Sequence, residues 1–198
     1  MLFMSLQVRG RVLLRTLANA EERFGREVVE RALQRCSPGV RAALRSAVVE
    51  GGYYPIVWLT NLEEGLIVES GVPSAMYEIG QDMAPRLLRE ATQVALHLKS
   101  MWSIIHRIPP LLADAFDGAR LEIEVRPGGD SAEFRYTECA GFSRHTWELI
   151  EGSIVGVLEA AGAHGVVVEP MFGGGDGDDA YTFVARFRGR PSLPPRPL

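Results

Sequence analysis

The sequence predicts an α+β domain, with an N-terminal layer of helices packed on a mainly antiparallel four-stranded sheet. Three observations carry this expectation. Up to about residue 116, apolar residues recur at intervals of three and four, the spacing of one helix face. From Gly118 the period changes to two, the spacing of a half-buried strand. The second half then reads strand–strand–helix–strand–strand (ββαββ), a pattern that needs a helical layer to cover one face of its sheet. The expected organisation is one domain over residues 1–189, helical over 1–116 and ββαββ over 117–189, followed by a proline-rich tail over 190–198.

The elements follow in order. Val12, Leu13, Leu17, Phe24, Val28 and Ala32 fall near one face of a single helix expected from Arg11 to Arg35. Ser37-Pro38 opens a second helix, serine as N-cap and proline at its first position. Gly51-Gly52 stops it. Tyr54-Pro55 restarts the chain into a third helix through Trp58, Leu59, Leu62 and Leu66. Gly71-Val72-Pro73 breaks that one, and a fourth passes through Met76 and Ile79. Pro85 suggests a kink or a fresh start. Leu87, Leu88, Ala91, Val94, Leu98, Trp102 and Ile105 then give the strongest helical pattern of the chain. A short helical turn is expected from Leu111 to Phe116.

Leu121, Ile123 and Val125 alternate with Glu122, Glu124 and Arg126, which predicts a strand with one wet face. Pro127-Gly128-Gly129-Asp130 is a turn, and Ala132, Phe134 and Tyr136 continue on the next strand. Ser143 caps a helix through Trp147, Ile150, Ile154 and Leu158, closed by Gly162. Gly152, Ser153 and Gly156 give that helix a small-residue patch suited to close packing. Val166–Val168 and Tyr181–Val184 read as the last two strands.

Composition excludes several function classes. The net charge is −4, and Lys99 is the only lysine among 21 basic residues. This argues against a basic nucleic-acid or membrane patch. No apolar run approaches the roughly 20 residues that span a bilayer. Met1 to Met4 breaks at once into Ser5 and Gln7 and does not read as a secretory signal. Two cysteines, Cys36 and Cys139, give no disulfide framework and suit the cytoplasm.

Chemistry-bearing motifs are sparse. The four histidines, His97, His106, His145 and His164, form no HExxH and no ligand cluster, so no metal site is expected. No GxSxG serine elbow is present. Cys139 with His145 is a conceivable thiol–imidazole pair, but no orienting carboxylate is readable, and no catalytic residue is assigned. The Gly173–Asp179 loop has neither the lysine of a phosphate loop nor the distant glutamate of an EF-hand; it reads as a hairpin connection. Surplus aromatics stand at Tyr53, Tyr54 and Trp58, and Trp102 lies one helical turn before His106. These five residues are the candidate wall of a pocket for a small apolar ligand. Core packing, a dimer contact and anchoring of a chain reversal are the competing roles.

The order of these features resembles a known group. Val8-Arg9-Gly10 leads into a helix ending Arg23-Phe24-Gly25. Tyr53-Tyr54-Pro55 with Trp58-Leu59 follows, then Ile79-Gly80, the hairpin, and the Gly152 helix. Last come Val166-Val167-Val168-Glu169, the Gly/Asp loop and Phe183-Val184-Ala185-Arg186-Phe187. The chain is similar to small sensor-type domains of the 4-vinyl reductase and haem-NO-binding-associated superfamily, most of all to paralogues abundant in myxobacteria. That resemblance implies an α/β architecture shared with small subunits of the TRAPP tethering complex. It also implies a non-catalytic signalling or adaptor role, a homodimer, and a small hydrophobic ligand or a protein partner. Zinc, held in some members by cysteines and a glutamate near the last two strands, is not carried over. Glu169 is present, but Met171, Phe172, Ala180 and Tyr181 stand around it. No histidine stands in a recognisable haem motif, so no cofactor is expected. A pure docking module without a pocket is the first alternative, and an enzyme using Cys139 or His145 the second.

Overall fold

The computed structural model describes residues 6–93, 108, 110, 114–126 and 128–188. The order is β1 (Gln7–Arg9), α1 (Gly10–Phe24), α2 (Arg26–Arg35), α3 (Pro38–Ser46), β2 (Tyr53–Pro55), α4 (Ile56–Ser70) and α5 (Ala75–Gln93). There follow β3 (Phe116–Asp117), β4 (Arg120–Val125), β5 (Ser131–Thr137), α6 (Arg144–Ala160), β6 (His164–Gly173) and β7 (Tyr181–Arg188). The α+β class, the helical first half and the ββαββ second half are all present. The proline-rich tail, Trp102, His106 and the rest of the expected helix beyond Gln93 lie outside the described residues.

Three expectations need correction. The single helix from Arg11 to Arg35 is two helices, α1 and α2, separated at Gly25 with φ 88°. That conformation costs glycine little and other residues much, and the amphipathic pattern runs on across the break. The chain does not restart at Pro85, because α5 continues through it to Gln93. A proline inside a helix costs about 3 kcal/mol; close packing of the preceding turn on α6 opposes that cost. Phe116 belongs to a strand rather than a helical turn.

That strand is part of a small sheet, order β2-β1-β3, in which Val8 pairs with Tyr54 on one side and Phe116 on the other. Its strands are too short to show a period of two. The four-stranded sheet is antiparallel throughout, order β4-β5-β7-β6. On its covered face Phe134 pairs with Phe183, Tyr136 with Tyr181 and Ala132 with Ala185, and all six are buried. Phe134 and Phe183 stack at 5.1 Å. Trp147 of α6 lies over this face, 5.2 Å from Tyr181 and 5.9 Å from Tyr136. Phe142 sits 4.7 Å from Trp147 and 4.8 Å from Phe116, which joins the two sheets through one aromatic cluster.

Helix α5 packs on the other side of α6, backbone against backbone. A Cβ built on Gly152 would lie 1.9 Å from the Tyr77 carbonyl oxygen, and one on Gly80 would lie 2.2 Å from that of Leu149. The small-residue patch therefore serves a helix contact, with Gly80 as its counterpart. Strand β6 forms one edge of the larger sheet. It carries two irregularities of register and exposes Met171 and Phe172, 61% and 71% accessible.

Candidate functional site

The N-terminus of α6 is the place where polar groups converge in the core. Ser143 is its N-cap, and its Oγ accepts from the Thr146 amide at 3.1 Å. The carboxylate of Glu63, on α4, reaches the same turn. Its Oε2 accepts from Thr146 Oγ1 at 2.7 Å and from Ser143 Oγ at 3.0 Å. Glu63 and Thr146 are fully buried, and Glu63 Oε1 has no partner among the described residues. Burial dominates the carboxyl and pushes it up to about 7; the two hydroxyls oppose that shift, and the nearby charge of Glu148 adds to it. Glu148 is held by Arg144 Nε and His145 Nδ1, each at 3.1 Å.

The Gly/Asp loop closes over this turn. Asp176 Oδ1 accepts from the Arg144 amide at 2.8 Å, and the Gly177 amide donates to the Phe142 carbonyl at 3.3 Å. Asp178 Oδ2 accepts from the Gly175 amide at 2.8 Å, which orders the loop internally. A carboxylate beside free amides at a helix N-terminus is favourable. Among the described residues no group of His, Cys, Asp and Glu has the arrangement of a metal site. Two further buried polar atoms, Tyr136 Oη and Trp147 Nε1, have no partner among the described residues.

Three of the five expected pocket residues, Tyr53, Tyr54 and Trp58, lie among the described residues. Tyr54 and Trp58 are half-buried and stack at 5.2 Å. Tyr54 Oη accepts from the Val49 amide at 2.9 Å and donates to the Ala47 carbonyl at 3.5 Å, so it anchors the reversal between α3 and β2. Tyr53 faces outward on an edge strand, with the Arg9 guanidinium 4.5 Å above its ring. Cys139 is buried, and its thiol donates to the Thr137 carbonyl at 3.3 Å. Burial, with Asp179 and Glu138 nearby, pushes that thiol up to about 12, so it stays protonated at neutral pH and is a poor nucleophile. Glu148 Oε2 lies 3.1 Å from His145 Nδ1, an orienting carboxylate that the sequence did not reveal; the protonated thiol of Cys139 is what speaks against a thiol–imidazole pair. A separate open cleft of about 310 Å³ is lined by Asn19, Glu22, Arg23, Asp82 and Arg86. Its charges are paired with one another or with neighbours: Arg23 with Asp82 and Glu78, and Arg86 with Glu22.

The arrangement of a helical half against a four-stranded sheet is found among solved structures. The fold is that of the H-NOX proteins. A mutant of T. tengcongensis H-NOX superposes with a TM-score of 0.67 at 15% identity, over 93% of this chain and 100% of that one. An H-NOX mutant from S. oneidensis in the Fe(II) ligation state gives 0.68 at 15%, over 93% and 98%. The Fe(II) unliganded H-NOX from K. algicida gives 0.65 at 13%, over 92% and 97%. No family model and no curated protein matches the chain. At these identities the likeness establishes architecture.

H-NOX architecture brings haem into question, since haem distortion has been probed in that family. The described residues do not fit it. His164 is exposed at the start of β6, and the space between α6 and the sheet is filled by Trp147, Tyr136, Tyr181 and Phe142. His97 and His106 lie outside the described residues. Among the described residues, no helix is long and apolar enough to cross a membrane.

Sequence reasoning missed Glu63. The signal was present: residue 63 stands four after Leu59 and three before Leu66, on the apolar stripe of α4. A carboxylate at such a position is a buried one.

Proposed function

We propose that this chain is a non-catalytic cytoplasmic sensory domain that binds a small apolar ligand and works as a homodimer docked on a protein partner. The observation that carries the reading is the correspondence of its fold, over more than nine-tenths of the chain, with H-NOX proteins, among them S. oneidensis structures in the Fe(II) state (a mutant) and the Fe(II)NO ligation state. Tyr53, Tyr54, Trp58, Trp102 and His106 are the residues proposed to contact the ligand. The buried, protonated thiol of Cys139 supports a non-catalytic role.

Native mass spectrometry of freshly purified protein tests this. The expected species is a dimer carrying a small organic molecule, whose retention falls at least tenfold in Trp58→Ala. A ligand-free monomer that no apolar compound stabilises overturns the reading. Haem in the spectrum, lost in His97→Ala or His106→Ala, replaces the apolar ligand by haem.

A further inference from the structure

We propose that Glu63, Ser143 and Thr146 form a proton-operated latch that sets how tightly the first turn of α6 and the Gly173–Asp179 loop are held. The inference is independent of any ligand, because it rests on the α4–α6 junction alone.

The geometry provides two states for one set of side chains. With Glu63 ionised, both hydroxyls donate to Oε2, as observed. The second oxygen then carries charge in the core without a donor among the described residues. With Glu63 protonated, the acid O–H donates to one hydroxyl, which turns to accept; serine and threonine hydroxyls serve either way. The junction therefore closes in both states, but only the neutral one leaves no buried charge. A buried unpaired charge is the costlier of the two.

The surroundings favour the same sign. Among the described residues, Glu148 of α6 is the charge that acts on Glu63, and it repels the ionised form. Arg144 and His145 face Glu148 rather than Glu63. Asp176, on the loop, faces the Arg144 amide. Opening the turn to water returns Glu63 to the ordinary carboxylate range. The closed form thus binds a proton that the open form does not, and opening becomes easier as pH rises from about 5 through 7. The released segment is the α6 N-cap together with the loop that covers it, a surface change readable by a partner.

Amide hydrogen exchange in the intact protein, corrected for intrinsic rates, tests the latch between pH 5.5 and 8.5. Protection at the Arg144, Thr146 and Gly177 amides is expected to fall tenfold or more relative to the centre of α6. Glu63→Gln, which keeps the shape without the charge, is expected to give a flat profile. Thr146→Val removes a donor to the ionised form and is expected to move the midpoint to higher pH. His145→Gln is expected to keep the transition. A flat wild-type profile overturns the proposal, as does a transition that survives in Glu63→Gln or disappears in His145→Gln. Where Glu63→Gln does not fold, the direction of the Thr146→Val midpoint decides: an unmoved or lowered midpoint overturns it.

Discussion

Helix α6 meets two of its neighbours, α4 and α5, in opposite ways. Against α5 the contact is backbone on backbone, set by Gly80 and Gly152. Against α4 it is a buried carboxyl shared by two hydroxyls. The first contact contains nothing that titrates at its closest points and tolerates no added atom. The second tolerates its shape being copied but depends on charge. One helix thereby carries a contact fixed by sterics and a contact graded by pH, about two turns apart.

The difference is open to direct attack. The largest effect is expected for Gly152→Ala, whose new methyl would sit 1.9 Å from a backbone oxygen. Overpacking of this kind costs about 3 kcal/mol or more, and urea denaturation should show it equally at pH 5 and pH 8. Glu63→Gln comes next and has the reverse sign. The folded-state carboxyl titrates at about 7, above its unfolded range, so wild-type stability falls as pH rises through that window and is level above it. The amide should raise stability at pH 8 by about 2–3 kcal/mol relative to its effect at pH 5, as read from denaturant midpoints. Equal effects at both pH values would remove the contrast between the junctions. Ser143→Ala removes an N-cap and one hydroxyl of the latch, and about 1 kcal/mol of thermal stability is expected to go with it. Tyr54→Phe, distant from both contacts, should cost about 0.5–1 kcal/mol for the bond to the Val49 amide. A larger loss there, or a loss of ligand in native mass spectrometry, would give Tyr54 a role beyond anchoring the turn.

Long, regular elements were legible in the sequence and short or broken ones were not. Helix α6 was readable from Ser143 at one end, Gly162 at the other and the apolar stripe between. Strands β4 and β5 were readable because one face is wet and the alternation is clean. The three-stranded sheet was not, since pairing of two or three residues leaves no periodic trace and depends on contacts between Val8, Tyr54 and Phe116, far apart in the chain. The break at Gly25 was hidden because Phe24, Val28 and Ala32 keep helical spacing across it, although the residues that α2 buries, Val29, Ala32 and Leu33, do not continue the buried face of α1. Of the site, the Ser143 cap was seen. Its partner Glu63 was not singled out, although its position on the stripe marks it. The Gly/Asp loop, expected as a mobile hairpin connection, does join the antiparallel strands β6 and β7. Its contact with α6 through Asp176 needs the folded chain, because nothing in the spacing of residues 144 and 176 brings them together.

The irregular edge of β6 has a consequence for behaviour at high concentration. A ten-residue edge strand showing Met171 and Phe172 is a template on which a second chain could add a strand. Pro170 interrupts that template, since it offers no N–H, and the shift of register between Pro170 and Phe172 bends the strand beside it. Both features oppose strand addition along this edge, beside the exposed Met171 and Phe172.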